Sequence, residues 1–444
     1  MPYSHTTFLA FRQALASRLD DTANVFWTDA ELKRWTLEAL RTWQAFTSFW
    51  RVRNQFTLTP NQPFYDLTVE LPAELGMTLK DQDIVTDLQF ALLEPATGNS
   101  WTGTEMFTLA DLTGAIQRRR DQFLYETGMI LTHSVINVPP QPIGRVPVID
   151  SVIDVKRAAW IQTLPLTDTV PLWRNDEWSY NAFLSGWNLS PGVPQSYSIL
   201  APPPLTLQLS PPPLDKGQLD LLTVNAGATL DPTVGVLLGV PDNFAWLLKW
   251  GALADLLSKD GQARDPQRAG YCEQRWQQGV EIARSAASVI QAAINEQQTF
   301  TESVSDLDAF NRSWQASRGA PKATAMASWN MFGVAPVPDN VNPYSITLDV
   351  VQNAPIPVAD GNFIQLGREE LDAVLDYAEH ISALKMGGAE FAATVPLLQR
   401  FLRVAGQYNE RLKVSGDFLP ATLGQTVKED LRRPRRESDL IKKT

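Results

Sequence analysis

Histidine and cysteine are the first residues to consider for catalysis, because they supply general bases, nucleophiles and metal ligands. The chain holds three histidines, His5, His133 and His380, and one cysteine, Cys272. No two histidines stand at metal-binding spacing, and no phosphate-binding glycine loop or serine elbow occurs. Cys272 falls on the apolar stripe of a predicted helix, which is typical of a core thiol. We therefore expect no enzyme, no cofactor and no metal site.

Carboxylates form two groups that could carry other chemistry. Asp81, Asp83 and Asp87 could hold calcium, but their spacing does not match an EF-hand loop, and the preference of helix N-termini for acidic residues explains them better. Asp176 and Glu177 could serve a glycosidase. Adjacent carboxylates in one helical turn point in different directions, however, so they make a poor acid and base pair.

Aromatic residues are abundant, with 14 tryptophans. Trp35, Trp43 and Trp50 recur at helical spacing, which predicts core packing. A second cluster falls in a β-rich region and is a candidate protein interface, since aromatic side chains are the usual anchors of interfaces. An alternative is a carbohydrate site. The residues of this cluster are Trp173, Trp178 and Trp187.

The end of the chain, residues 428–444, is polar and has a local excess of positive charge. It has no apolar stripe, so we expect no independent fold there. Arginine pairs with carboxylate or phosphate through a planar fork, and we favour docking to a protein over binding to DNA. A solvated end without a partner is the remaining alternative. The residues concerned are Arg432, Arg433, Arg435 and Arg436.

Helical periodicity predicts the elements that would position these residues. Residues 6–19 form one helix, a second opens at Thr28, and a third covers 84–93. A fourth begins at Thr108 and stops at Gly128. Thr28 and Thr108 each precede an acidic residue by three positions, which is the pattern of a capping box.

The pattern changes along the rest of the chain. Short β-branched runs separated by proline and glycine predict strands between Met129 and Gly227. Apolar residues stepping by three or four from Ala269 to Ile294 then predict one long helix, with Cys272 and Trp276 buried against the two N-terminal helices. Residues 299–345 have little periodicity. Two further helices, over 368–386 and 389–413, follow, the second kinked at Pro396.

The expected fold class is α+β, with a helical-bundle body, an inserted proline-rich β domain and a C-terminal helical hairpin. The predicted parts are 1–128, an N-terminal helical part; 129–240, a β-rich insert; 241–298, a long-helix part that completes the helical body; 299–367, an irregular connector with short strands; 368–427, the C-terminal helical hairpin; and 428–444, the basic tail.

Charge and apolar content limit the function classes. The net charge of -11 argues against DNA wrapping or binding to an anionic membrane as the main activity, because phosphate-binding surfaces are basic. A conduit with an acidic lining would instead let DNA pass, because carboxylates do not bind the phosphate backbone. No apolar run reaches the ~18 residues that span a bilayer, and we expect no signal peptide and folding in a reducing cytoplasm.

Three segments resemble a known family. Trp27–Trp43, with WTDAELKRW and EALRTW, and Leu172–Phe183, with LWRNDEWSYNAF, are similar to head-to-tail adaptor (neck, or head-completion) proteins of tailed bacteriophages. Lys385–Phe391, KMGGAEF, is similar to a helical hairpin of phage virion proteins.

The resemblance implies a structural virion protein of the neck, made in the host bacterial cytoplasm. It would form a homo-oligomeric ring, commonly of about twelve copies, between the portal protein and tail or nozzle proteins. Genomic DNA would pass through without sequence-specific binding, and no membrane would be involved. Another tail or nozzle protein is the first alternative, and a carbohydrate-binding or carbohydrate-active β protein is the second.

Overall fold

Helices and strands alternate along the whole chain. The computed structural model describes residues 5–94, 101–103, 105–162, 168–176, 178–179, 186–187, 190–200, 204–295 and 297–417. The helices of these residues are α1 (Phe8–Arg18), α2 (Asp29–Thr47), α3 (Leu67–Glu70), α4 (Pro72–Leu75), α5 (Asp81–Leu92), α6 (Leu109–Thr127), α7 (Trp246–Ser258), α8 (Pro266–Ser285), α9 (Val304–Phe310), α10 (Arg368–Ser382), α11 (Gly388–Ala393) and α12 (Val395–Asp417).

Among the described residues the strands outnumber the helices and fall in three stretches of the chain. They are β1 (Arg51–Thr57), β2 (Phe64–Asp66), β3 (Thr132–Val138), β4 (Arg145–Pro147), β5 (Val152–Gln162), β6 (Asp168–Arg174), β7 (Ser196–Leu200), β8 (Thr206–Ser210), β9 (Gly217–Asn225), β10 (Val289–Ile294), β11 (Gln297–Gln298), β12 (Phe300–Ser303), β13 (Ala323–Met326), β14 (Met331–Ala335) and β15 (Ser345–Val351).

Side-chain caps fix the starts of the N-terminal helices, as the sequence predicts. The Thr108 hydroxyl accepts from the Asp111 amide at 3.1 Å, and the Asp111 carboxylate accepts from the Thr108 amide at 3.1 Å, so this capping box is complete. Gly128 ends α6 at a φ of 57°. Thr28 caps α2, but the Glu31 carboxylate binds the ammonium group of Lys385 instead of closing the box.

The expected helical-bundle body is wrong, because three sheets share the molecule with the helices. Two four-stranded sheets have the orders β1-β15-β10-β11 and β12-β13-β14-β2, and a seven-stranded sheet has the order β3-β9-β5-β6-β7-β8-β4. The large sheet is nearly closed, like a barrel, and β3 and β4 are its two edge strands. The fold is therefore mixed and rich in sheet.

The two smaller sheets could not be predicted from the sequence, because their strands pair across long distances in the chain. Arg51 of β1 lies opposite Val351 of β15, and Phe64 of β2 lies opposite Gly333 of β14. The predicted connector with short strands at 299–367 thus supplies strands to both sheets. Periodicity within a short window carries no signal for partners this far apart in the chain.

The predicted helix from Ala269 to Ile294 is also wrong beyond Ser285. The chain becomes extended at Ala286, and β10 pairs with β15, placing Ala292 opposite Leu348 and Ile294 opposite Ile346. The β-branched and small residues of β10 fit a strand as well as a helix at this spacing. Pairing with β15 decides between the two.

The helices and sheets enclose two hydrophobic cores. The main core gathers buried residues from Phe8 to Ala405, including Trp35, Trp43 and Trp50 as predicted, and a second core lies inside the seven-stranded sheet. Strand β9 serves both, because successive side chains point to opposite faces. Leu219 and Leu221 belong to the second core, whereas Leu222 and Val224 belong to the main core.

Cys272 and Trp276 on α8 are fully buried, as predicted, but their surroundings differ from the expectation. The Trp276 ring meets Phe123 of α6 edge-on at 6.3 Å, and Arg119 of α6 lies 5.3 Å from its centre. The backbone of α7 approaches the same ring at Gly251. The helix therefore packs mainly on α7 and α6, with a smaller contact to α2 and not the expected packing on both N-terminal helices.

The C-terminal helices α10 and α12 lie against each other and against α2. The Phe401 ring of α12 stacks on Tyr377 of α10 at 4.7 Å and meets Trp43 of α2 at 5.8 Å. Pro396 sits in the first turn of α12, where its missing amide hydrogen costs nothing. The predicted irregularity at Pro396 is thus a break between α11 and α12 at Thr394.

Candidate partner interface

A cleft of about 330 Å³ opens between the seven-stranded sheet and the segment β12–α9. Its floor is mainly apolar and is formed by both hydrophobic cores. The floor residues are Leu131, Leu172, Tyr197, Leu222 and Val304, the rim residues are Lys156, Trp173, Arg174, Ser303, Ser305 and Asp308, and the buried Arg157 lies in the wall. An apolar floor with a polar rim is typical of a binding cleft.

A buried arginine fixes one wall of the cleft. Arg157 of β5 donates to both carboxylate oxygens of Asp308 on α9, at 2.6 and 2.8 Å. It also donates to Gln315 at 3.0 Å. The Trp314 indole donates to Asp308 at 2.9 Å. These bonds join α9 and the turn after it to the seven-stranded sheet, and we name this set of residues the Arg157 joint.

Asp220 of β9 anchors the joint from within the sheet. Its carboxylate accepts from Gln315 at 2.6 Å and contacts the His133 ring and, at 3.4 Å, Arg157. Burial alone raises the pKa of Asp220, but the hydrogen bond and charge of His133 and the charge of Arg157 outweigh burial and hold the pKa below its ordinary value. His133 therefore has a structural task in this sheet.

The Trp173 side of the cleft mouth carries an excess of positive charge. Lys156 and Arg174 lie 2.9 and 3.2 Å from the same carboxylate, that of Asp154. The Arg312 guanidinium lies over the Trp173 ring at 5.8 Å and, within the described ranges, forms no ion pair. Lys156 and Arg174 thus share the Asp154 carboxylate, Arg312 pairs with none within the described residues, and the Asp176 carboxylate follows Arg174 by two residues, on a chain whose net charge is -11.

Exposed aromatic side chains occur on the segments that border this mouth. Trp173 is 60% exposed, Trp178 is 86% exposed, and Phe310 at the end of α9 is 87% exposed. We name Trp173, Trp178, Phe310 and Arg312 the aromatic surface. The contact of Arg312 with Trp173 brings the chain after α9 to β6, and Trp178 follows Trp173 by five residues.

The sequence singled out part of this surface and missed the rest. Trp173 and Trp178 belong to it, whereas Trp187 is half-buried. Phe310 and Arg312 were missed because they fall in the segment interpreted as a connector. Ser303 and Asp306, spaced as a capping box, could have shown that a helix precedes them.

Other candidates from the sequence fall outside the described residues. Glu177 is one, and the remainder belong to the basic tail: Arg432, Arg433, Arg435 and Arg436. Asp176 is described and accepts from the amide and the hydroxyl of Ser179, at 2.6 and 2.9 Å. These hydrogen bonds lower the pKa of Asp176. Asp176 therefore closes a turn.

His380 and Cys272 are buried inside the helical region. His380 lies between the Tyr271 hydroxyl at 2.6 Å and the Thr394 hydroxyl at 2.8 Å, and burial lowers its pKa to about 3. Burial raises the pKa of the Cys272 thiol to about 12. Because a thiolate is the reactive form, Cys272 is inert in the folded protein.

The acidic group near the start of α5 is also engaged. Asp83 accepts from the Lys80 amide at 3.0 Å, Asp81 accepts from the Val236 amide at 2.9 Å, and Asp87 pairs with Arg34. The helix-start interpretation accounts for Asp83. In the part of the chain that the structure describes, no group of three or more potential metal ligands comes together.

Among the described helices, none combines the length and the apolar character that crossing a bilayer would need. No protein-family model matches this chain, and no curated protein matches its sequence.

Proposed function

We propose that this chain is a structural subunit of a larger assembly and that the aromatic surface is where it meets a partner. The observation that carries the proposal is the exposure of Trp173, Trp178 and Phe310 beside an apolar cleft. Each ring would remove on the order of 100 Å² of apolar surface from water on docking, worth roughly 2.5 kcal/mol. Tryptophan and arginine are also the residues most enriched at the centres of interfaces.

The charged groups of the cleft support a structural role. Arg157 donates to Asp308, Asp220 and Gln315, Gln315 donates to Asp220, and these bonds hold α9 on the sheet. Asp176 is held by Ser179, which does not favour the carbohydrate-active alternative. The Arg157 joint thus holds the elements that carry the aromatic surface in one position, as a binding interface requires.

The resemblance to head-to-tail adaptors of tailed bacteriophages supports a finer proposal. The chain would form a ring in the virion neck between the portal protein and tail or nozzle proteins, and DNA would pass through the ring. The acidic net charge suits such a conduit, because an acidic lining does not hold the phosphate backbone. Another structural protein of the tail or nozzle would need a partner surface of the same kind.

Substituting the most exposed aromatic residues tests the proposal. Trp178→Ser and Phe310→Ser should leave thermal unfolding unchanged and reduce assembly in sedimentation velocity and negative-stain micrographs. Val234→Ser and Val341→Ser are matched controls, since these side chains are 74% and 79% exposed and lie elsewhere. Equal assembly of all four variants and the wild type would contradict the proposed role of the aromatic surface.

A further inference from the structure

A second surface of the chain has the opposite charge to the cleft mouth. It lies where α5 ends and α6 is about to begin, and we name Leu93, Glu94, Glu105 and Met106 the acidic surface. Leu93 is 52% exposed and Met106 is 55% exposed. The Met106 amide donates to the Glu94 carboxylate at 3.3 Å, so the two ends of this loop lie together.

Both carboxylates of the acidic surface already accept hydrogen bonds within their own loop, so they would attract a partner through charge and not through free oxygen atoms. Backbone hydrogen bonds from the loop, including those from Thr102 and Gly103, lower the pKa of Glu105 to about 2, so it stays charged. Among the described residues, neither Glu94 nor Glu105 forms an ion pair. The intervening sequence 95–104, PATGNSWTGT, contains no lysine or arginine.

The two surfaces match in chemistry. The aromatic surface and its neighbours Lys156 and Arg174 offer exposed apolar rings among cations. The acidic surface offers exposed apolar side chains among carboxylates. Opposite charges around a shared apolar centre favour association, whereas like charges brought together oppose it.

Charge also determines how two copies would meet. An isologous contact would bring the aromatic surface against itself and set Arg312 and Arg174 against the same cations of the other copy. A contact between the acidic surfaces would oppose four carboxylates. A head-to-tail contact between unlike surfaces avoids both, and such contacts generate rings when the rotation closes.

A rival acidic and apolar region suits the cleft less well. Leu9, Val358 and Phe363 are also exposed, but the neighbouring carboxylates are already neutralised within the chain. Asp29 and Asp360 both pair with Arg12, and Lys33 lies 3.3 Å from Asp29. These carboxylates have less charge left for a partner than Glu94 and Glu105.

We propose that the aromatic surface of one copy docks on the acidic surface of a second copy of this chain. The proposal rests on the proposed function, which names the aromatic surface as an interface, and adds the identity of its partner. Arg312 and Arg174 face Glu94 and Glu105 across the contact, and Leu93 and Met106 cover Trp173 and Phe310. Repetition of this one contact builds the assembly.

A charge swap tests the proposal on the full chain. Arg312→Glu alone and Glu94→Lys alone should each weaken self-association by about tenfold or more in sedimentation velocity. The double variant carries both reversed charges and should recover most of the wild-type association. Arg264→Glu and Glu390→Lys reverse exposed charges elsewhere and should leave association unchanged. Glu94→Gln is the milder second variant if lysine disturbs the Met106 amide contact.

The outcomes separate this inference from the proposed function. If Arg312→Glu and Trp178→Ser weaken association but Glu94→Lys and Glu94→Gln do not, the aromatic surface is an interface and the assigned partner is wrong. If both single variants weaken association and the double variant is no better, the two charges do not meet. A wild-type chain that stays monomeric at all concentrations would overturn both this contact and the proposed ring.

Discussion

Replacing Asp308 with asparagine removes one charge from the Arg157 joint while keeping the size of the side chain. Asp308 now accepts two hydrogen bonds from Arg157 and one from the Trp314 indole. Asparagine has one carbonyl oxygen to offer in place of a bidentate carboxylate. The buried Arg157 guanidinium would therefore lose its principal counter-charge.

The burial of the pair sets the expected magnitude. Breaking a fully buried ion pair costs about 3–5 kcal/mol, because the remaining charge stays desolvated. Arg157 is 9% exposed and Asp308 16% exposed, and Arg157 keeps Gln315 at 3.0 Å and Asp220 at 3.4 Å. We therefore expect Asp308→Asn to lower the free energy of unfolding by about 2–3 kcal/mol, below the fully buried figure.

Urea unfolding followed by tryptophan fluorescence measures this loss as a lower midpoint at constant slope. Asp306→Asn on the same helix is the matched control. Asp306 only accepts from Ser303 in the capping box, and loss of its carboxylate should cost about 1 kcal/mol. Arg157→Met combined with Asp308→Leu should be less destabilising than the sum of the two single variants. If Asp308→Asn costs no more than Asp306→Asn, the Arg157 joint does not hold α9 on the sheet.

Three further predictions concern the buried helical region. Trp276→Ala should lower the free energy of unfolding by about 3–5 kcal/mol in urea titrations, whereas Trp178→Ala should be neutral because that ring is exposed; equal effects would contradict the assigned burial. Cys272 should not react with a thiol reagent until the chain unfolds, because its pKa is about 12; rapid labelling of the native protein would refute this. Because burial lowers the pKa of His380 to about 3, from about 6.5 in the unfolded chain, its contribution to stability is complete above pH 6.5 and is lost as pH falls toward 3, by up to about 1.4 kcal/mol per pH unit. His380→Gln should remove that part of the pH dependence of unfolding, and an unchanged profile would count against a neutral buried His380.

Local signals in the sequence identified the helix starts correctly. Thr108, Asp111 and Gly128 specify the two ends of α6 through hydrogen bonds within a few residues, and the structure has those bonds. Trp35 and Trp43 are buried because helical spacing places them on one face of α2. Such features depend on neighbours in the chain, so a single sequence contains them.

Long-range pairing was beyond the same reasoning. Ala292 and Ile294 fit a helical stripe, and only their pairing with Leu348 and Ile346 makes them part of a strand. The two four-stranded sheets, and with them the fold class, were missed for this reason. The cleft was missed as well, because Arg157 and Asp308 are far apart in sequence and meet only when β5 and α9 are in place.

Aromatic content located part of the candidate interface without showing its setting. Trp173, Trp178 and Trp187 look alike in the sequence, yet only the first two are exposed at the level that an interface residue needs. The solvent exposure of each tryptophan ring depends on the residues that pack over it, and sequence periodicity does not identify those residues. Phe310 and Arg312 belong to the aromatic surface because α9 ends close to Trp173, which only the three-dimensional structure shows.

Negative-stain electron microscopy of the purified 444-residue chain, across a range of protein concentrations, tests the central claim most directly. A subunit that docks its aromatic surface on a second copy should appear as closed rings of uniform diameter at higher concentration. Trp178→Ser and Phe310→Ser should shift the particles toward monomers. Single, unassociated particles at every concentration, identical for the wild type and both variants, would contradict the claim that this chain is a ring-forming structural subunit.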